Sequence, residues 1–469
     1  MNKSVIHFLV LFSQMLLAQD RHKPNVLFIL ADDLGINALN CYGNPLVESP
    51  NIDKLFNEGM HFTNGYSSDP TCAPSRASIL SGQYVPRHKV YRVTDRYKND
   101  PETLRNMRFL PPPINSVKGS GKGMSLDKIT IAEALKQAGY LTASFGKWHL
   151  GKNELLPQNQ GFDIGYEITG HYNFKTTPHQ EGVDHSVYSS DFITQQTLSF
   201  INQSVEQNKP FFAYVPYYLV HKPLETKSEY LSYFKSKYKT EGLGVDEIKV
   251  LAMIKSLDEN VGQLLNGLKT LGIEENTIVL FVSDNGHYRT EGNLFTKPYR
   301  GSKGETLEGG IRVPYIFRWP GQIKPGSSSA QPIIHVDLYP TILGLTGVDT
   351  PQDYILDGEN FTPILNGSSQ KSLRDALIWE YTNYARWRER SETFASSWVN
   401  VIQMDGYKMT EDIETGNYTL FNLNTDPYEQ NNVVSEFPAK LKQLQQRLER
   451  WKNETSYEKP LRNPAYEKR

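Results

Sequence analysis

Cysteine is almost missing from this chain, with only Cys41 and Cys72 among 469 residues. That excludes a disulfide-built scaffold, and no Cys/His cluster has the spacing of a zinc site. An excess of one charge sign is missing too. Fifty Lys and Arg nearly cancel 52 Asp and Glu, leaving a formal net charge of −2. Without a basic field the chain is expected to bind no nucleic acid, so an anionic ligand has to be gripped by a local cationic site. No repeat or low-complexity tract occurs. With 38% hydrophobic and 22% charged residues, an ordinary globular protein remains.

A bilayer-spanning run is also lacking. The apolar stretch Val5–Leu17 is broken by His7 and Gln14 and falls short of the roughly 20 residues a span requires. After Met1-Asn2-Lys3 and before Ala18-Gln19-Asp20, it reads instead as a secretory signal peptide over residues 1–18, a buried first strand being the alternative. The expected location is the periplasm, or the medium if secreted, with no membrane anchor. Two cysteines in an oxidising compartment suit one disulfide; the alternative is that one of them is present for its chemistry.

The length exceeds what one core usually organises, so a large domain and a smaller one are expected. Asn25–Leu30, Leu141–Phe145, Phe211–Val215, Thr277–Val282 and Val313–Trp319 are short continuous apolar runs. They alternate with helical patterns at Ile129–Ala138, Asp191–Ile201 and Glu247–Leu271, the signature of an α/β fold with a large, mostly parallel sheet flanked by helices. Sites in such sheets form at the carboxyl ends of strands. After Gly347 the pattern changes to four short strands with polar turns, then an amphipathic helix at Pro438–Trp451. This predicts a catalytic domain over 22–347 and a small antiparallel sheet with a helix over 348–469. Tyr97–Gly123 and Leu224–Gly244 read as long loops.

The stretch Cys72-Ala-Pro-Ser-Arg76 followed by Leu80-Ser81-Gly82 puts Pro74 in a first helical turn. Cys72 would then sit at a helix N-terminus, where the dipole lowers a thiol pKa. Ala31-Asp32-Asp33-Leu34-Gly35 and Ser283-Asp284-Asn285-Gly286-His287 each end an apolar strand. Together they supply three carboxylates and an amide oxygen, a donor set for a hard divalent cation. Gly146-Lys147-Trp148-His149-Leu150-Gly151 follows a third strand. If that segment is extended, Lys147 and His149 share a face. His221-Lys222-Pro223 and Lys303-Gly304 with Glu308-Gly-Gly-Ile-Arg312-Val-Pro314 complete the set.

In this order, through Leu420–Glu429, these motifs resemble those of type I sulfatases, on the alkaline-phosphatase-like fold. The resemblance implies that Cys72 is oxidised to formylglycine by a formylglycine-generating enzyme. It implies Ca²⁺ held by Asp32, Asp33, Asp284 and Asn285, with Lys147 and Lys303 on the sulfate. Arg76 braces the nucleophile, His149 serves as base and His221 as the acid for the leaving oxygen, while Glu308 and Arg312 are structural. The implied substrate is a sulfated poly- or oligosaccharide, marine algal glycans before glycosaminoglycans, with a phosphatase or phosphodiesterase of the same superfamily as the rival. His171, Tyr172, His179, His185, Tyr299 and Arg300 are candidate sugar contacts.

Overall fold

The computed structural model describes residues 23–91, 93, 107–108, 123–371, 374–388 and 393–462. The signal peptide expected over residues 1–18, and most of the loop expected at Tyr97–Gly123, lie outside the described residues. Among the described residues, no helix is long and apolar enough to cross a membrane.

Strand Asn25–Ala31 is buried at every position, because both faces of its sheet are covered. Alternate side chains divide cleanly between two cores. Leu27, Ile29 and Ala31 join one cluster, while Val26, Phe28 and Leu30 join the other. Nine strands build this sheet in the order Ser327–Ser329, Met60–Phe62, Tyr315–Arg318, Thr277–Ser283, Asn25–Ala31, Phe211–Pro216, Leu141–Gly146, Ile164–Thr169 and Lys175–Thr177. The five from Thr277–Ser283 to Ile164–Thr169 run parallel, with antiparallel strands beside them on both sides.

One helix lies where a loop is expected. Ser228–Lys237 is helical and packs on the long helix Val245–Thr270. Its polar sequence hides a single fully buried anchor, Phe234. Phe234→Ala should destabilise the fold by about 3–5 kcal/mol, read from urea unfolding, because a large buried ring leaves a cavity.

Beyond residue 376, strands Leu377–Arg388, Thr393–Met404, Tyr407–Asp412 and Tyr418–Asn422 form an antiparallel sheet in chain order. The turn between the second and third strands has Asp405 at φ 52° and Gly406 at φ 75°, the two positive values a tight hairpin requires. Helix Pro438–Glu454 covers this sheet with Leu444, Leu448 and Trp451, spaced to share one face. Their cluster also takes in Tyr66, Ile311 and Ile334 from the larger part, so one core joins the two.

Candidate active site

Parallel pairing aligns Ala31 with Ser283, so the polar residues after both strands emerge side by side. Asp33, at a left-handed φ of 61°, donates its backbone N–H to Asp284 Oδ1 at 3.1 Å. Asn285 Nδ2 donates to Asp33 Oδ1 at 2.8 Å. Asp32, Asp33, Asp284 and Asn285 therefore meet, and all are buried.

Cys72 begins the helix Cys72–Ser81, which Gly82 ends in the left-handed region at φ 66°. Its Sγ lies 3.4 Å from Asp32 Oδ1, 3.8 Å from Asp33 Oδ1, 3.4 Å from Lys147 Nζ and 3.2 Å from Lys303 Nζ. Lys147 pairs with Asp32, and Lys303 with Asp33 at 2.5 Å. Arg76, one turn along the helix, donates from Nε to Asp284 Oδ2 at 2.9 Å and from its guanidinium to the Lys147 carbonyl. His221 Nε2 approaches Asp33 Oδ2 at 3.9 Å, while its Nδ1–H donates to the Lys222 carbonyl at 2.5 Å. Cys41 and Cys72 are both free thiols, so no disulfide joins them.

The electrostatics correct one expectation. Burial and Asp32 push the Cys72 thiol up, against Lys147 and Lys303, so the helix N-terminus does not produce a lowered thiol pKa here. Burial also opposes the Asp33 carboxylate, yet Lys303, His221 and Lys147 hold it well below the usual range. Burial and Asp284 push Asp32 up to about 7. Burial and Lys147 bring His221 down to about 3.

The donors suit a hard cation. Asn285 Oδ1 is buried with no hydrogen-bond partner, and the crowded carboxylates raise one another's cost of ionising. Both problems disappear with a divalent ion among them. Oxygen or sulfur atoms of Asp32, Asp33 and Cys72 and a ring nitrogen of His221 lie within 4.8 Å of one another. Ca²⁺ is the group the sequence resemblance implies, and Asp32, Asp33, Asp284 and Asn285 are the residues that would offer it oxygen donors.

A second expectation concerned Lys147 and His149. The segment is not extended, because Gly146 has φ 139° and His149 φ 63°. Lys147 is buried in the thiol cluster, whereas His149 is half-buried and its backbone N–H donates to Glu167 Oε1 at 3.3 Å. Among the candidate sugar contacts, His171 supports the site from behind, its Nε2–H donating to the His221 carbonyl at 2.8 Å. Tyr172 packs on Tyr188 at 4.9 Å, and His179 stacks with His185 at 6.2 Å. Tyr299 and Arg300 engage the C-terminal segment, through the Tyr428 ring and the Glu429 carbonyl. Glu308 and Arg312 pair with each other at 3.2 Å.

Tyr218 was not singled out from the sequence. Its ring lies 5.2 Å from Lys147 Nζ and 5.1 Å from the His221 ring, beside the cluster. The signal available was its position between an apolar strand and His221.

Comparison with known proteins follows the same lines. Residues 24–348 match the family described as Sulfatase, and residues 303–455 match N-sulphoglucosamine sulphohydrolase, C-terminal. A sulfatase of Formosa agariphila is 29% identical, over 89% of this chain and 85% of that protein. The N-acetylgalactosamine-6-sulfatase of Canis lupus familiaris is 30% identical, over 81% of this chain and 74% of its own. The crystal structure of Ps i-CgsB superposes with a TM-score of 0.76 at 26% identity, covering 92% of this chain and 93% of that one. A further structure of that protein holds k-i-k-neocarrahexaose.

Proposed function

The chain belongs to the sulfatase family and is a sulfuric ester hydrolase; from that premise we propose that it removes sulfate from a sulfated poly- or oligosaccharide. A marine algal glycan is preferred to a glycosaminoglycan. The observation that carries this reading is the convergence of Lys147 and Lys303 on Cys72 Sγ, at 3.4 and 3.2 Å, beside three carboxylates. The carrahexaose complex of Ps i-CgsB supports the algal preference.

Cys72 is the residue that a formylglycine-generating enzyme converts, within the motif Cys72-Ala-Pro74-Ser-Arg76. When hydrated, that group supplies one hydroxyl for attack on sulfur and a second for expelling sulfate. Asp32, Asp33, Asp284 and Asn285 hold Ca²⁺, which supplies positive charge against the sulfate oxygens.

The chain's own side chains do the rest. Lys147 and Lys303 bind the sulfate oxygens and stabilise charge that grows during transfer. Arg76 fixes Asp284 and, through the Lys147 carbonyl, the backbone that carries Lys147. His221 protonates the departing sugar oxygen. Its Nδ1–H is committed to Lys222, which leaves Nε2 to carry that proton. A sulfate held between the lysines offsets the charge that disfavours the imidazolium. The resemblance gives His149 the part of base that takes the proton from position 72 when sulfate leaves. The signal peptide expected over residues 1–18 supports export to the periplasm.

A panel of carrageenan, fucoidan and glycosaminoglycan oligosaccharides, with 4-nitrophenyl phosphate alongside, tests this reading. Protein made with the converting enzyme should release inorganic sulfate from at least one carrageenan or fucoidan oligosaccharide, and lose that activity in EGTA until Ca²⁺ is restored. Phosphate release outrunning sulfate release from every substrate would assign the site to the rival reaction.

A further inference from the structure

Lys303 reaches the thiol from the tip of a tightly folded loop. Gly309 N–H donates to the Arg300 carbonyl at 2.7 Å, closing the loop at its base. Lys303 N–H donates to the His287 carbonyl at 2.8 Å, and Gly304 N–H to the Pro70 carbonyl at 2.9 Å. Inside, the loop is so compact that a Cβ on Gly310 would meet the Glu305 carbonyl oxygen at 2.0 Å. Such a loop has little slack, so bonds at its ends act together with those at its tip in placing Lys303.

Both ends are held by one residue from the C-terminal part. The Glu429 carbonyl accepts from Arg300 Nη1 at 2.7 Å, and its Oε2 accepts from the Glu308 backbone N–H at 2.7 Å. Glu429 takes a left-handed φ of 56° while doing so. Lys408 Nζ then bridges Glu429 Oε1 at 2.9 Å and Glu308 Oε1 at 3.0 Å. All three charged side chains are at most 1% exposed. Burying three charges costs free energy that an apolar contact of the same volume would not. What the charges add is direction, because each hydrogen bond admits one placement of the loop base.

We infer that Glu429 is a positioning residue for sulfate hydrolysis, clamping both ends of the Arg300–Gly310 loop so that Lys303 meets the sulfate. The small antiparallel sheet thereby contributes to the chemistry without touching substrate. This inference rests on the sulfate-gripping role proposed for Lys303.

A double-mutant cycle on the full chain separates positioning from simple support. In the native background, Glu429→Ala, which removes the side-chain acceptor of the Glu308 N–H, should lower kcat/KM for 4-nitrophenyl sulfate about tenfold and weaken inhibition by inorganic sulfate in parallel. In a Lys303→Ala background, the same change should cost less than about twofold, because the residue it positions is gone. Arg300→Ala cuts the other bond of the clamp, to the Glu429 carbonyl, from an exposed side chain and should behave alike if Glu429→Ala fails to fold. Losses that multiply in both backgrounds would overturn the inference while leaving the sulfatase reading intact. Failure of the wild-type enzyme, made with the converting enzyme, to release sulfate would instead remove that reading.

Discussion

Cys72→Ser protein should transfer one sulfo group per chain and then stop. The serine Oγ would occupy the place of Sγ, beside Lys147 and Lys303 and next to Asp32. In that setting it can still attack sulfur. A bond forms between Oγ and sulfur as the serine proton passes to the adjacent Asp32 carboxylate, the sugar oxygen–sulfur bond breaks, and His221 supplies the proton that the departing oxygen needs. The resulting serine sulfate has no second hydroxyl on its carbon with which to push sulfate out. Steady-state turnover should fall on the order of 10⁴-fold or more, as when a covalent nucleophile is lost. Rapid mixing with 4-nitrocatechol sulfate should give a burst of one product per chain, and mass spectrometry should find one added sulfo group on the peptide containing position 72. Steady multiple turnover by this variant would show that a single hydroxyl suffices and that conversion of Cys72 is irrelevant.

Why that chemistry was legible from the residues, and where legibility ended, has physical causes. Asp32, Asp33, Asp284 and Asn285 stand out because each pair ends an unbroken apolar strand, and parallel register then forces them together. The sheet itself was readable for the same reason: runs such as Val26–Leu30 are apolar on both faces. The helix Ser228–Lys237 was not, because only Phe234 is fully buried, and the partly buried Tyr230 and Leu231 on the same face make a short stripe among Glu229, Lys235 and Lys237. The pairing of Lys147 with His149 misled because alternation holds only on an extended backbone, and positive φ at Gly146 and His149 breaks it. The Cys72 thiol was misread because a dipole argument counts the helix and omits burial of the thiol and the Asp32 carboxylate facing it. Glu429 ends the stretch Leu420–Glu429, yet nothing in the sequence ties it to Lys408, twenty-one residues earlier, until the fold buries both against Glu308.

Replacing His221 by Ala should split substrates by their leaving group. A sugar alkoxide leaves poorly without a proton, so activity on a sulfated oligosaccharide should fall about 10²- to 10⁴-fold. A nitrophenolate leaves readily as the anion, and 4-nitrophenyl sulfate should lose less than about tenfold, since general-acid help scales with the basicity of the leaving oxygen. The scaffold around the missing ring should persist. The His171 ring donates to the backbone carbonyl of residue 221, not to its side chain. The competing role is also specific: the His221 nitrogen lies close enough to Asp32, Asp33 and Cys72 to hold a cation. In that case both substrates would lose activity by the same factor, and raising Ca²⁺ would restore them together. Unequal losses that do not respond to Ca²⁺ assign the proton to His221, because only a group acting on the leaving oxygen can tell an alkoxide from a nitrophenolate.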